Sequence, residues 1–162
     1  MKKYLTNTRG FTLIELLVVI AIIGILSSVV LSDLSTARSK GGDAAIKQGL
    51  SGVKTQAQLF NTTNGSFTGV CGSGGETIGD MVLNAAQNLG QTAVVGANAD
   101  AFAYNLDGSV TGAAVCHETA SGWAAIVSLK NPVATSSGWC VDYSGKSEEN
   151  TVLSANSVDC GL

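Results

Sequence analysis

The stretch "RGFTLIELLVVIAIIGIL", from Arg9 to Leu26, decides how this chain is organised. It opens an apolar run from Phe11 to Leu31 in which Glu15 is the only charged residue. As a helix rising 1.5 Å per residue, these 21 residues extend about 31 Å, which matches the hydrocarbon thickness of a bilayer. The sequence therefore predicts a helix that can span a membrane and that carries a carboxylate near its start.

Charge is distributed unevenly around this run. Lys2, Lys3 and Arg9 precede it, so the positive-inside tendency keeps residues 1–10 in the cytoplasm and directs the rest of the chain outward. From residue 61 to residue 162 there are nine acidic residues and two basic ones, a net charge of −7. Such an acidic region is a poor partner for phosphate backbones, and we therefore expect no nucleic acid among the partners.

Four parts follow one another along the 162 residues. They are a basic leader (1–10), the apolar helix (11–31), an amphipathic extension of that helix (32–60) and a globular head (61–162). In the extension, apolar residues recur every three or four positions and predict one buried stripe: Ile46, Leu50, Val53, Ala57 and Phe60. Gly41 and Gly42 predict bending or fraying, and the turn residues "NTTNGS" (61–66) predict the end of the helix.

The head combines one short helix with several short strands. Helical spacing predicts a helix from Glu76 to Leu89, with Gly90 as its stop. The strands are predicted in four runs separated by Gly, Asn, Pro or Ser: "AFAYNL", "TGAAVC", "WAAIVSL" and "WCVDYS". The pattern indicates an α+β fold in which a small antiparallel sheet packs against the amphipathic part of the long helix.

All four cysteines lie in the part predicted to face outward: Cys71, Cys116, Cys140 and Cys160. An oxidising location and an even number favour two disulfides over free thiols or a metal site, and no CxxC pair is present. Four cysteines allow three connectivities. Chain order favours Cys140 with Cys160 and Cys71 with Cys116, and sequence alone leaves the other two open.

The N-terminus resembles that of type IV pilins and of the related pseudopilins of type II secretion. The resemblance rests on a short basic leader ending in Gly10, then Phe11, then Glu15 at the fifth position of the mature chain, then the apolar run. It implies cleavage after Gly10, N-methylation of Phe11 and a role for Glu15 in filament assembly. Many members of this family have a Pro near the outer end of the run, where this chain has Ser32; a helix break here would rely on Gly24, Ser27 and Ser28.

The same resemblance implies the partners and the location. The partners are a prepilin peptidase and N-methyltransferase, an inner-membrane assembly platform, membrane lipid, and copies of this chain or related pilins. The chain would be held in the cytoplasmic membrane with its head outside, and then enter an extracellular filament or a periplasmic pseudopilus. No catalytic residues, cofactor or metal are expected, so the chain is interpreted as a structural protein rather than an enzyme.

Glu15 favours this interpretation on physical grounds. A charged carboxylate inside a span is costly unless it reaches the interface, becomes protonated or pairs with a cation. Cleavage before Phe11 creates an α-amine that is mostly positive at neutral pH, and a neighbouring helix can bring that amine to Glu15. An ordinary secretory signal or an uncut anchor would leave the carboxylate unexplained, and the remaining alternative is that Glu15 reaches the cytoplasmic interface unaided.

Other residues that suggest chemistry are given structural interpretations. His117 follows Cys116 directly, and since neighbours in a strand point to opposite faces, it is expected to be a surface histidine rather than the activator of a thiol. Asp142, Glu148 and Glu149 offer oxygen ligands for calcium but lack EF-hand spacing, which favours a solvated acidic turn. The aromatic residues are expected to pack against the sheet: Tyr104, Trp123, Trp139 and Tyr143.

The sequence therefore predicts a structural subunit of a type IV pilus-like filament. Two alternatives stay open. One is a pseudopilin of a type II secretion or DNA-uptake system, and the other is a membrane-tethered binding module with an acidic head.

Overall fold

The computed structural model of the chain describes residues 10–87, 102–104, 110–111, 114–130, 138–150 and 152–161. The helices are α1 (Leu13–Ser51), α2 (Val53–Asn64) and α3 (Gly79–Gln87). The strands are β1 (Phe102–Tyr104), β2 (Val110–Thr111), β3 (Ala114–Glu118), β4 (Trp123–Ser128), β5 (Gly138–Asp142), β6 (Ser147–Asn150) and β7 (Val152–Leu153). The chain divides into two compact units, Met1–Ala37 and Arg38–Leu162.

The first unit is formed by the apolar part of α1. Every large apolar side chain from Leu13 to Leu34 is exposed, with fractions from 46% at Val19 to 78% at Leu13. Within the residues that the structure describes, this is the one helix long and apolar enough to cross a membrane. The helix is also unbroken at Gly24, Ser27 and Ser28.

The amphipathic continuation differs from the prediction at two places. Fraying near Gly41 and Gly42 is wrong, because α1 is helical through Ser51 and the interruption comes at Gly52, between α1 and α2. Burial of Ile46 and Leu50 just beyond the two glycines offsets their weak helix propensity.

The end of the helix is the second difference, since α2 runs through Asn64 instead of stopping at residue 60. Thr62, Thr63 and Asn64 each donate a side-chain hydrogen bond to the carbonyl four residues earlier. These turn-forming side chains are therefore satisfied inside the helix. Gly65, at φ 72°, ends it in the left-handed conformation, and its N–H bonds the Asn61 carbonyl at 2.8 Å.

The predicted stripe is confirmed as the helical side of the head core. Ile46, Leu50, Val53 and Ala57 are at most 1% exposed, and Phe60 packs at their margin. They share one cluster with side chains from one face of the sheet: Ala114, Cys116, Trp123, Ala125, Val127 and Val141. This arrangement confirms the predicted α+β architecture of the head.

The main sheet is an antiparallel meander in the order β3-β4-β5-β6. Strand β4 is buried along its whole length, because its second face is covered as well. Val115, Ala124, Ile126 and Cys140 form a second cluster there with Leu153 and Cys160 of the C-terminal segment. A smaller sheet has the order β2-β1-β7.

Helix α3 begins three residues later than predicted, at Gly79, and its predicted end at Leu89 lies outside the described residues. Gly79 is required by close packing. A Cβ atom at this position would overlap the carbonyl oxygens of Cys71 and Gly72. The start of α3 therefore packs directly against the backbone of Cys71 and Gly72.

Candidate functional site: the N-terminal end of the long helix and the stabilised head

The residues singled out for processing lie immediately before α1. Gly10 and Phe11 have no helical or strand structure, and Phe11 is 77% exposed. The Gly10–Phe11 peptide bond is thus an exposed bond in non-helical backbone. The basic residues Lys2, Lys3 and Arg9 lie outside the described residues.

Glu15 takes part in a capping box that the sequence interpretation missed. Its Oε2 accepts hydrogen bonds from the Thr12 backbone N–H at 2.8 Å and from the Thr12 hydroxyl at 2.7 Å. In return, the Glu15 backbone N–H donates to Thr12 Oγ1 at 3.2 Å. The signal was present, since Thr-x-x-Glu ahead of an apolar run is the sequence pattern of this motif.

The capping box uses only one of the two carboxylate oxygens of Glu15. Two donors on Thr12 already stabilise the carboxylate inside its own chain, and both use Oε2. Oε1 has no hydrogen-bond partner among the described residues. The geometry therefore allows Glu15 to cap α1 and still accept a cation from outside the chain.

Both disulfides form with the connectivity that chain order favoured. Cys71 is bonded to Cys116, and Cys140 is bonded to Cys160. The first joins the segment before α3 to strand β3, and the second joins strand β5 to the C-terminal segment. Cys116 and Cys140 lie in the clusters on opposite faces of the sheet. The predicted pairing is confirmed.

His117 is buried, so the predicted surface histidine is wrong. The residue is 0% exposed, and its Nδ1 lies 2.8 Å from the Ser157 carbonyl oxygen. Since a carbonyl only accepts, Nδ1 carries the hydrogen of this bond. His117 does point away from the Cys116 face, as strand alternation predicted. Its role is to hold the C-terminal segment against the sheet.

Asp142 is also buried, so the predicted solvated acidic turn is wrong for this residue. Its Oδ1 accepts from the backbone N–H groups of Ser144, Gly145 and Lys146 and from the Ser144 hydroxyl, at 2.6 to 3.1 Å. Its Oδ2 accepts the Cys160 N–H at 3.0 Å. The carboxylate thus fixes the β5–β6 turn and the C-terminal cysteine together.

The other two acids of the calcium hypothesis lie apart from this arrangement. Glu148 is exposed, whereas Glu149 pairs with Lys47 of α1 at 3.2 Å. No group of three or more acidic, His or Cys residues suited to a metal occurs in the part of the chain that the structure describes.

A surface ion pair ties the C-terminal segment to the same turn. Lys146 Nζ lies 2.8 Å from Asp159 Oδ1, and the Gly161 N–H also donates to that oxygen at 2.7 Å. The hydrogen bond from Lys146, followed by that from Gly161, lowers the pKa of Asp159, while the bond to Asp159 raises the pKa of Lys146. Both pKa shifts favour the state in which Asp159 and Lys146 are charged.

The tryptophans pack against the sheet as predicted, but in different ways. Trp123 is fully buried in the core. Trp139 is half-buried and lies under Lys47, whose Nζ is 4.4 Å from the ring centroid. Tyr143 is 41% exposed, and the Tyr104 side chain lies outside the described residues.

Two comparisons with known proteins found a match. Residues 5–31 match the family model described as the prokaryotic N-terminal methylation motif. A relative in Thermus thermophilus, the type IV wide pilus major component PilA4, is 40% identical over 62 residues. That match covers 38% of this chain and 47% of the relative, so the chain spans about half the length of the curated relative it matches. No solved structure matches the chain.

Proposed function

We propose that this chain, whose residues 5–31 match the prokaryotic N-terminal methylation motif, is a structural subunit of a type IV pilus-like filament. The observation that carries the proposal is a coincidence of two features. The methylation motif at residues 5–31 covers most of the stretch of α1 whose apolar side chains are all exposed. A helix of this kind needs lipid or other helices around it, and a filament subunit meets both in turn. The role is structural rather than catalytic.

The first step is processing at the membrane. A prepilin peptidase cuts the Gly10–Phe11 bond, and the new amino group of Phe11 is methylated. The non-helical backbone of Gly10 and Phe11 supports this assignment, because a peptidase must bind its substrate in an extended form. Before assembly the subunit stays in the cytoplasmic membrane with its head outside.

The second step is assembly through Glu15. The Phe11 amine of one subunit, positive at neutral pH, reaches the Oε1 atom of Glu15 in its neighbour. The Thr12 cap holds the carboxylate in place for this contact through Oε2. An assembly platform in the inner membrane would add subunits of this chain, or related pilins, one at a time.

Mass spectrometry of the N-terminus tests processing. The mature chain should begin at Phe11 and carry one N-methyl group. A chain that starts at Met1, or one cut near Val29 as an ordinary signal peptide would be, contradicts the proposal.

Substitutions at Glu15 and Thr12 separate the charge from the cap. Glu15→Leu removes both, Glu15→Gln keeps a hydrogen-bond acceptor without the charge, and Thr12→Val removes the hydroxyl while leaving the charge. The measurement is the ratio of sheared filament to membrane-pool subunit, with cleavage at Phe11 checked in each variant.

We expect the Leu and Gln variants to be cut but to lose filament on the order of tenfold or more, because the Phe11 amine of a neighbour is left without a counter-charge. Glu15→Asp should keep partial assembly, since the charge survives on a shorter arm. Thr12→Val should assemble nearly as the parent does, since losing a cap costs about 1 kcal/mol of helix stability. If Glu15→Gln assembles as well as the parent, the residue only caps α1 and its proposed assembly role is wrong.

A further inference from the structure

The segment at the end of α2 contains two acceptor sequences for N-linked glycans. The sequence Asn61-Thr62-Thr63 and the sequence Asn64-Gly65-Ser66 both fit Asn-x-Ser/Thr with no proline at the middle position. They follow each other directly. A glycan is bulky and hydrated, so it requires an asparagine at the surface.

The first acceptor sequence lies wholly inside α2. Asn61 is half-buried, and its carbonyl accepts the Gly65 N–H that closes the last turn of the helix. The hydroxyls of Thr62 and Thr63 both bond helical carbonyls of the preceding turn. A transferase would have to unwind the helix to reach this site.

The second acceptor sequence leaves the helix. Asn64 is exposed and is the last residue of α2, and Gly65 turns the chain at φ 72° before Ser66. Nothing lies within 4 Å of the Cβ position of Gly65, so the space beside the asparagine is open.

The existing hydrogen bond of Asn64 is compatible with modification. Its Nδ2 donates to the Phe60 carbonyl at 2.9 Å, and an amide nitrogen has two hydrogens. A sugar replaces one of them, and the other can continue to donate to Phe60. The modified residue can thus keep its place at the helix end.

We propose that Asn64 is the acceptor of an N-linked glycan on the outward-facing head. The proposal rests on the proposed function, because the head must be exported to meet a membrane-bound oligosaccharyltransferase. The co-substrate is an oligosaccharide linked to a polyprenyl diphosphate. A bond forms between Asn64 Nδ2 and sugar C1, the C1–oxygen bond to the diphosphate breaks with its electron pair, and one amide proton passes to the transferase.

Chymotryptic peptide mapping of the chain from its native source tests the assignment. Cleavage after Phe60 and Phe67 releases the peptide Asn61–Phe67, which contains both acceptor sequences. Fragmentation should place a sugar mass on Asn64. Asn64→Gln and Ser66→Ala should each abolish the sugar-bearing peptide, whereas Ser66→Thr, which preserves the acceptor pattern, should retain it. Asn61→Gln should also retain it.

Two results overturn the assignment. One is an unmodified peptide in the parent chain, and the other is a sugar on Asn61 or on a threonine hydroxyl of this segment. The N-terminus of the same sample is analysed separately. A mature start at Phe11 with an unmodified peptide leaves the filament role intact, whereas a start at Met1 contradicts the filament role itself.

Discussion

Two stretches of the long helix have opposite relations to their surroundings. From Leu13 to Leu34 every large apolar side chain is exposed, whereas from Ile46 to Ala57 the apolar stripe is buried against the sheet. The first stretch shows no 3.6-residue period because it is apolar all round, and the second shows that period clearly. In this helix, the 3.6-residue apolar period therefore indicates packing against the same chain. Uniform apolarity indicates instead that something outside the chain must cover the helix.

Removal of both disulfides together should have the largest effect, and only on the head. The Cys71–Cys116 and Cys140–Cys160 bonds join residues separated by 45 and 20 positions. Loop-entropy estimates give about 4 kcal/mol for the first and about 3 kcal/mol for the second. Each cysteine pair replaced by alanines should lower the free energy of unfolding of the head by roughly these amounts in that order. Urea titration of the detergent-solubilised chain, followed by the fluorescence of Trp123 and Trp139, measures the effect.

The helical content of the apolar stretch should not change in these variants. Its residues lie outside both disulfide loops, and detergent surrounds its side chains. Unchanged urea midpoints in both double variants would show that the disulfides do not stabilise the head.

A matched pair of leucines tests the comparison directly. Leu50→Ala should lower the free energy of unfolding of the head by about 2–5 kcal/mol, because Leu50 is 1% exposed and a cavity replaces its side chain. Leu26→Ala removes the same atoms from a side chain that is 59% exposed, and it should leave the unfolding of the head unchanged. Equal effects in the urea titration would contradict the division of the helix into two stretches.

The ion pair between Lys146 and Asp159 should give the smallest effect, and one that depends on pH. The lowered pKa of Asp159 means that its stabilisation is present above the pKa of the unfolded chain and is lost as pH falls through the folded value. The raised pKa of Lys146 means that its contribution is present below the unfolded pKa and is lost as pH rises through the folded value. The pair therefore stabilises the head across the neutral range.

The variant Asp159→Asn should show a slightly lower urea midpoint than the parent at neutral pH and the same midpoint in strong acid. Glu76→Gln is the matched control, because Glu76 is exposed and its carboxylate has no hydrogen bond or ion pair in the part of the chain that is described. A difference between parent and Asp159→Asn that does not vanish in acid would mean that the pair is not the cause.

The features that could be predicted from the sequence are those whose signal is local. Each of these features occupies a continuous segment with its own pattern: the apolar span, the stripe from Ile46 to Ala57, and strands β4 and β5. Strand β6 was missed because "SEEN" carries no apolar alternation. It pairs with β5 through its backbone at the edge of the sheet, where polar side chains are tolerated.

The capping box and the burial of His117 were both missed from the sequence, for different physical reasons. The Thr12–Glu15 capping box could be predicted from the sequence, because its Thr-x-x-Glu pattern is local and precedes an apolar run. The burial of His117 was not readable. It depends on a carbonyl 40 residues away, at Ser157, which no local pattern connects to it. Asp142 belongs to the same class, since one of its partners is the backbone of Cys160.

The two disulfides also determine how the head can respond to tension along its backbone. A force that pulls on the chain passes through the Cys71–Cys116 and Cys140–Cys160 bonds and bypasses the residues enclosed between each pair. The separations are 45 and 20 positions. At about 3.4 Å per extended residue, the disulfides therefore prevent about 150 Å and 70 Å of chain from being extended. Strand β4 lies between the two loops and can still lengthen, but it is paired with a strand on each side and is buried along its whole length. The covalent bonds therefore direct mechanical force onto the best-supported strand of the head.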